Sequence, residues 1–243
     1  QAYITTASKG LNIAHPIPTD FHFEHDSLLW VSTFGGLSRL DLAKRESRHF
    51  LKQNNPEKGP SSNHLFHIHQ DDSGLLWIGS RGGGLNCFDP KTETWKAYKA
   101  NAKQQGSISN NAIWYIIPDG QGGLWLATDG GLNHLVWKNG EAWFYAYTND
   151  PQNPQSLSND YVNYMLIDSD SVLWVGTSGG GLNRLDSIIG EEAHFTHFRK
   201  QHGLANDNVF GILEDSQKRL WISTSQGLTR LDKRALMQES DQA

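Results

Sequence analysis

One arrangement of apolar and polar positions recurs five times along the chain. A tryptophan between two aliphatic residues is followed by a small residue and then a hydroxyl residue, and a glycine-leucine step comes shortly after. The copies are Leu29–Thr33, Leu76–Ser80, Leu124–Thr128, Leu173–Thr177 and Leu220–Thr224. Their tryptophans are 47, 48, 49 and 47 residues apart. A period this regular indicates an array of structural repeats.

The repeat from Ser156 to Lys200 predicts four short strands. Alternating bulky residues and turn residues place them at Tyr161–Ile167, Val172–Thr177, Leu182–Leu185 and His194–Phe198. The third strand is expected to stop at Asp186, with a loop before the fourth. Four strands joined by short turns predict one antiparallel sheet per repeat.

An acidic residue lies six positions before each tryptophan. The five acids are Glu24, Asp71, Asp119, Asp168 and Asp215. In four repeats this acid closes an aliphatic-x-x-aliphatic-x-x-acid segment, which predicts the first strand. In the first repeat Pro16 and Pro18 are expected to interrupt that strand, because proline cannot donate a ladder hydrogen bond.

Repeats of 40 to 50 residues with four strands and a tryptophan are typical of β-propeller blades. We therefore predict an all-β fold and a single domain over 1–243. Its blades are expected at about 11–53, 61–100, 107–148, 156–200 and 204–235. A strand at about 2–6 is expected to complete the last blade and close the ring. The alternative is an open fragment of a larger, seven-bladed propeller.

Charge and composition exclude several classes of partner. The net charge is −5 and the 21 lysines and arginines are scattered, so nucleic acid is not expected as a partner. No apolar run reaches the length of a membrane span, and no membrane contact is expected from this segment. Cys87 is the single cysteine and has no partner for an internal disulfide. Because the chain begins at Gln1, we expect a segment of a longer polypeptide.

The pattern Ser-x-Asn, aliphatic-x-x-Ile-x-x-Asp, Gly-x-Leu-Trp-Ile-Gly-Thr and Gly-Gly-Leu resembles the two-component regulator propeller repeat. The resemblance is closest at 107–136 and 156–186, good at 61–90 and 205–232, and limited to the second half of 11–41. It implies an extracytoplasmic, periplasmic or extracellular sensor region of a histidine kinase or diguanylate cyclase, often recognising carbohydrate. Such propellers usually have seven blades, so five repeats are a departure.

Ligands of propellers bind where the loops that lead into the first strands meet those between the second and third strands. The first set of loops carries amides and carboxylates that could bind sugar hydroxyls. These candidates are Asn63, Asn110, Asn111, Asn159, Asp160, Asn206 and Asp207. The alternative is that they cap turns, as Asn and Asp commonly do.

The second set of loops differs in chemistry from repeat to repeat, as an asymmetric binding surface requires. It carries Phe34, Arg81, Asp129, Ser178 and Gln226. Arg81 could bind a carboxylate through a bidentate pair of hydrogen bonds. Trp114, Tyr115 or Phe66, which lie on first strands, could stack on a sugar face. The alternatives are a solvated loop charge for Arg81 and burial between blades for the aromatic residues.

The chain shows no catalytic or metal-binding arrangement at recognisable spacing. His67 and His69 share one strand face, but nothing completes a ligand set, so structural histidines are expected. No cofactor is expected. The favoured function is a non-catalytic ligand sensor that binds a small molecule or oligosaccharide and pairs with a second copy within a receptor. The alternatives are a glycosidase or lyase using Asp129, Asp160 or Asp207, and a protein-interaction platform.

Overall fold

The computed structural model of the chain describes residues 10–233. Contacts group the chain into two compact units. The first comprises Gln1–Leu126 and Leu135–Phe144, and the second comprises Ala127–His134 and Tyr145–Ala243. The strand expected at 2–6 lies outside the described residues. The single domain expected over 1–243 stays a prediction.

The described residues form five antiparallel sheets whose strands follow one another in sequence order. Sheet 1 contains β1 (Pro18–His25), β2 (Leu28–Thr33), β3 (Gly36–Asp41) and β4 (Glu46–Phe50). Sheet 2 contains β5 (Leu65–Gln70), β6 (Leu76–Ser80), β7 (Gly84–Asp89) and β8 (Thr94–Tyr98). Sheet 3 contains β9 (Ile113–Pro118), β10 (Leu124–Thr128), β11 (Gly131–Lys138) and β12 (Glu141–Tyr147).

Sheet 4 contains β13 (Val162–Ile167), β14 (Leu173–Thr177), β15 (Leu182–Ile189) and β16 (Glu192–Phe198). Sheet 5 has three strands among the described residues, β17 (Val209–Glu214), β18 (Arg219–Thr224) and β19 (Gly227–Asp232). A short 3-10 helix, Lys200–His202, precedes it. Among residues 10–233 no helix is long and apolar enough to cross a membrane.

Two expectations about strands are wrong. Pro18 does not interrupt the first strand but begins it, which is where a strand tolerates proline. The third strand of sheet 4 does not stop at Asp186 but runs on to Ile189. The Asp186 carboxylate accepts hydrogen bonds from Arg184 Nε at 2.6 Å and Thr196 Oγ1 at 2.6 Å, so it is used within the sheet.

The acid before each tryptophan organises the turn between the first and second strands. Asp71 Oδ2 accepts the indole N–H of Trp77 at 2.8 Å, while its Oδ1 accepts the backbone N–H groups of Ser73 and Leu75 at 3.0 Å each. The same indole bond joins Glu24 to Trp30, Asp168 to Trp174 and Asp215 to Trp221. The recurring aspartate is therefore a structural element of the turn, and Glu24 makes the same hydrogen bond to its indole.

The cores lie between successive sheets within each compact unit. Trp30, Leu37 and Phe50 of sheet 1 form one buried cluster with aliphatic and aromatic residues of sheet 2, including Leu65, Ile68 and Ile78. The next cluster joins Trp77 and Leu85 of sheet 2 to Ile113, Ile116 and Leu126 of sheet 3. In the second unit, Trp174, Leu182 and Phe198 pack against Val209, Ile212 and Ile222.

The small residue two positions after the tryptophan leaves room for the next sheet. A Cβ on Gly79 would lie 2.7 Å from the carbonyl oxygen of Ile113, and one on Gly176 would lie 2.5 Å from Cγ1 of Val209. Real Cβ atoms do not approach other atoms this closely. The repeated motif is therefore a packing element. Its tryptophan and leucine pack against aliphatic residues of the next sheet.

Candidate functional site

The two sets of loops predicted to form a binding surface are hydrogen-bonded to each other within each compact unit. In the first unit the N–H of Arg81 donates to the carbonyl of His64 at 2.9 Å, and those of Gly82 and Gly84 donate to Asn111 at 2.9 Å each. In the second unit Gly179 and Gly181 donate to the carbonyl of Asp207 at 3.0 and 2.9 Å. The loops after β6 and β14 are thus held by the segments that lead into the following sheets.

Three of the candidate asparagines cap their own turns. The side-chain Oδ1 accepts the backbone N–H two residues later in Asn110, Asn159 and Asn206, at 2.8, 2.8 and 2.9 Å. This is the local hydrogen bond by which Asn and Asp stabilise turns. These three Oδ1 atoms therefore cap turns, which is the alternative given for them in the sequence analysis.

Four further candidates bind the backbone of the segment before them. Their Oδ1 atoms accept N–H groups at 2.6 to 2.8 Å. The pairs are Asn63 with Lys52, Asn111 with Ala100, Asp160 with Asn149 and Asp207 with Lys200. Since the bond recurs in both units, these side chains stabilise the scaffold of the loops. Asp129, the remaining carboxylate candidate, is half-buried in the loop after β10.

A row of aromatic rings runs along the first unit beside Arg81. The ring of Phe66 lies 5.9 Å from that of Phe34 and 4.3 Å from that of Trp114, centre to centre. The ring of His64 lies 5.7 Å from Phe34. Phe34, Phe66 and Trp114 are half-buried, so part of each ring remains exposed to solvent. We call Phe34, His64, Phe66 and Trp114 the aromatic row.

The backbone of Arg81 lies next to this region. Its backbone forms an isolated antiparallel bridge with Ala112, two residues before Trp114, and its N–H is bonded to His64. Its side chain is exposed. The structure therefore brings Arg81, Asn110, Asn111 and Trp114 together at one end of sheets 2 and 3. An exposed guanidinium on a loop next to partly exposed aromatic rings can bind a ring-shaped ligand that also carries a carboxylate or several hydroxyl groups.

A half-buried histidine, His67, follows Phe66 on β5 and was not predicted as part of a site. Nε2 of His67 is 3.6 Å from Oδ2 of Asp20, and its ring centre is 4.0 Å from that of Tyr115. Burial lowers the pKa of His67 to about 4, since the nearby Asp20 raises it less and His69 lowers it further. A comparison of first strands would have revealed this group, because the position holds a different residue in sheets 1, 2 and 3.

The pairing of His67 with His69 as metal ligands is not what the structure favours. Among residues 10–233, one group of three potential ligands lies close enough to share an ion, namely Asp168, Asp170 and Glu214. The buried ammonium of Lys233 lies among them, 2.8 Å from Asp168 Oδ2 and 2.8 Å from Asp170 Oδ2, and it also contacts Glu214. A lysine thus supplies the positive charge that these carboxylates require, and the group is an ion-pair cluster.

A groove of about 490 Å³ and another of about 460 Å³ lie elsewhere on the two units. The smaller one is in the first unit, at the opposite end of sheets 2 and 3 from Arg81. It is lined by His69, Asp72, Trp77 and Trp137, among others. Trp137 is 47% exposed and its indole N–H donates to the carbonyl of Gly122 at 3.0 Å. Trp137 can therefore serve as a control for Trp114 in binding experiments, because it is exposed at the opposite end of the same sheets.

The chain is similar to one protein family and to several solved structures. The model of the two-component regulator propeller family matches residues 107–130, 156–179 and 203–226. These ranges confirm the resemblance for three of the repeats, and they do not include residues 61–90 or 11–41. No curated protein sequence matches the chain significantly.

Two similar structures are extracellular domains from B. thetaiotaomicron. Both are structures of the extracellular domain of the same protein, which is described once as a one-component system, with a TM-score of 0.71 and 23% identity, and once as a hybrid two-component system, with a TM-score of 0.72 and 22% identity. Each covers 96% of this chain, and the chain spans 30% of each neighbour's length. Streptogramin B lyase is also similar, with a TM-score of 0.59, 15% identity, and coverage of 91% of this chain and 70% of the lyase. These likenesses confirm the β-propeller fold, and an open fragment of a propeller is consistent with them.

Proposed function

This chain carries two-component regulator propeller repeats, and from that premise we propose that it is the extracytoplasmic ligand-sensing segment of a signal-transduction receptor. Two structural neighbours are structures of the extracellular domain of one signalling protein, which supports this assignment. The segment binds its ligand and leaves it chemically unchanged. Transmission of the signal falls to parts of the receptor outside this chain.

The aromatic row with Arg81 is the observation that carries the ligand-binding part of the proposal. Scaffold positions repeat from sheet to sheet, whereas the row occupies positions that differ between repeats. The residue equivalent to Phe66 and Trp114 is Thr19 in sheet 1, Asn163 in sheet 4 and Phe210 in sheet 5. Accessible aromatic faces stack on the apolar faces of sugar rings, and an arginine binds a carboxylate. An oligosaccharide with acidic residues fits this combination.

The test is a titration of the chain with a panel of neutral and acidic oligosaccharides, followed by calorimetry and by thermal denaturation. A bound oligosaccharide raises the melting temperature. Trp114→Ala weakens binding by roughly tenfold or more, which corresponds to about 1.4 kcal/mol of lost stacking. Arg81→Gln weakens binding of acidic sugars more than of neutral ones. Trp137→Ala, at the opposite end of the same sheets, leaves the affinity unchanged.

Two other functions give different results in the same experiment. A carbohydrate-active enzyme releases reducing ends or unsaturated sugars during long incubation, and similarity to a lyase makes this control necessary. A protein-interaction platform is indifferent to the whole panel and is stabilised by another protein instead. Either result contradicts the proposed sensor.

A further inference from the structure

In the second unit an ammonium group lies against the acid that holds the repeat tryptophan. Oδ2 of Asp168 accepts the indole N–H of Trp174 and also the ammonium of Lys233, at 2.8 Å each. The same ammonium donates to Asp170 at 2.8 Å and to Glu214. The turn between the first two strands of this repeat can therefore hold a primary ammonium ion beside its conserved geometry of acid and indole.

The sequence position of that lysine holds a tryptophan in sheet 3. Trp137 comes five residues after the leucine of the glycine-leucine step, as Lys233 does in sheet 5. The indole N–H of Trp137 donates to the carbonyl of Gly122 at 3.0 Å, which fixes the ring. Trp137 is 47% exposed, and its ring centre lies 6.3 Å from that of Trp77 in sheet 2. Sheet 3 thus presents an aromatic surface where sheet 5 supplies a cation.

The groove of about 460 Å³ in the first unit contains the acid that corresponds to Asp168. This acid is Asp71, which lines the groove together with Asp72, Trp77 and Trp137. Oδ2 of Asp71 accepts the indole N–H of Trp77 at 2.8 Å, and no other residue among 10–233 donates to this oxygen. A carboxylate oxygen can accept more than one hydrogen bond, so Oδ2 can also receive an ammonium. The volume is that of a small-molecule site.

The charges along the groove favour a cation. Burial raises the pKa of Asp71, but hydrogen bonds from Ser73 and Trp77 lower it below its ordinary value, so the carboxylate is ionised at neutral pH. Asp72 is exposed and forms no ion pair with the described residues, 10–233. Burial lowers the pKa of His69, the remaining titratable group of the lining, so its ring is neutral. No lysine or arginine from the described part of the chain lines the groove.

We propose that this groove binds a primary alkylammonium ion, the protonated form of a small amine. The ammonium donates to Oδ2 of Asp71, next to the charge of Asp72, and the carbon chain packs on the ring of Trp137. A cation near an indole is also attracted by the negative face of the ring. This site is separate from the aromatic row and takes a ligand of the opposite charge preference, so it does not depend on the oligosaccharide proposed above.

The test is an NMR titration of the chain with n-butylammonium chloride at neutral pH, with sodium chloride adjusted to keep the ionic strength constant. The indole signal of Trp137 and the amide signals of residues 71–75 and 119–123 should shift and reach saturation. n-Butanol has the same carbon chain without the charge and should produce no saturating shift. Equal shifts with n-butanol, or no saturation at tens of millimolar n-butylammonium, overturn the proposal.

Single substitutions localise the binding. Asp72→Asn and Trp137→Ala should each weaken n-butylammonium binding roughly fivefold, since one removes a charge and the other an aromatic face. Two variants should leave the affinity unchanged. They are Asp26→Asn, which changes an exposed acid in the corresponding turn of sheet 1, and Trp114→Ala in the aromatic row. A loss in Asp26→Asn as large as that in Asp72→Asn would show a general effect of net charge and overturns the proposal.

A further variant tests the correspondence with Lys233. Trp137→Lys should place an ammonium of the chain itself in the groove, and Trp137→Met removes the ring without adding a charge. Trp137→Lys should therefore bind n-butylammonium more weakly than Trp137→Met does, and it should melt about 2 °C or more above Trp137→Met. Equal affinity and equal melting temperature of these two variants contradict the proposal.

Discussion

The indole N–H of Trp174 donates a 2.8 Å hydrogen bond to Oδ2 of Asp168, six residues earlier in the chain. Oδ1 of the same carboxylate accepts the N–H groups of Asp170 and Val172 at 2.9 and 3.0 Å. One side chain thus closes the turn between two strands and fixes the ring that fills the core between sheets 4 and 5. The regular spacing of acid and tryptophan along the sequence is explained by this geometry.

Removal of the acid should destabilise a sheet strongly. Asp71→Ala leaves the indole of Trp77 and the N–H groups of Ser73 and Leu75 without their acceptor, and we expect a loss of about 2 to 4 kcal/mol in the free energy of unfolding. Urea denaturation measures the loss. Asp72→Ala, its exposed neighbour, should change stability by less than about 0.5 kcal/mol. Equal effects of the two variants would contradict the structural role of the acid.

Adding one methyl group to the small residue of the motif should lower the stability of the protein. In Gly79→Ala the new Cβ meets the carbonyl oxygen of Ile113 at 2.7 Å, so the backbone of β9 must shift. We expect a cost of about 1 to 3 kcal/mol. Ser223→Ala, at the equivalent position of sheet 5, adds no atom and removes a hydroxyl that makes only a long hydrogen bond of 3.4 Å, so it should cost less than about 0.5 kcal/mol. The two variants are compared by thermal denaturation, and a neutral Gly79→Ala would contradict the packing between sheets 2 and 3.

Lys233 should stabilise the second unit through its three carboxylates. Its side chain is 3% exposed, and Lys233→Met leaves Asp168, Asp170 and Glu214 close together without the ammonium. We expect a loss of about 3 to 5 kcal/mol, as for other buried pairs from which one partner is removed. Lys218→Met breaks the exposed pair with Asp170 and should cost no more than about 1 kcal/mol.

The pH dependence of the Lys233 effect provides an independent check. Hydrogen bonds from Lys218 and Lys233 lower the pKa of Asp170 to about 2, so its contribution is present above the unfolded pKa of 3.8 and is lost as the pH falls through 2. The difference between wild type and Lys233→Met, measured by chemical denaturation, should therefore shrink as the pH falls from about 5 towards 2. A difference that does not change over this range would argue against the ion-pair cluster.

His67 should make the free energy of unfolding depend on pH between about 4 and 6.5. Burial lowers the pKa of His67 to about 4 from its ordinary 6.5, so the unfolded chain binds a proton more readily than the folded one between these values. Stability is therefore lost as the pH falls from 6.5 to 4. His67→Gln should flatten this part of the profile, measured by chemical denaturation. His25→Gln, which changes an exposed histidine on β1, should keep the wild-type slope.

The repeated features were the ones that the sequence predicted. The tryptophan, the acid and the small residue recur because the same contact between sheets recurs, and a contact made several times leaves a visible period. We predicted that the strand ends at Asp186 because aspartate is common in turns. The sequence does not show which residues the carboxylate of Asp186 contacts. In the structure its carboxylate is satisfied by Arg184 and Thr196, and the strand continues.

The candidate site was predicted less well. Asn63 and Asp160 were considered for ligand binding on residue type and loop position, but their Oδ1 atoms accept backbone N–H groups 11 residues earlier in the chain. A hydrogen bond between residues 11 positions apart produces no recognisable pattern in the sequence of a single repeat. The contact between Asp20 and His67 was missed for a similar reason, since the two residues lie on the first strands of different sheets.

The central claim is that the end of sheets 2 and 3 beside Trp114 and Arg81 binds the ligand. Hydrogen-deuterium exchange of the chain, with and without an oligosaccharide that raises its melting temperature, tests this most directly. The account predicts slower exchange at residues 64–66, 81–84 and 110–115. It predicts unchanged exchange at the opposite turns, 71–75 and 119–123. Protection confined to those opposite turns would contradict it.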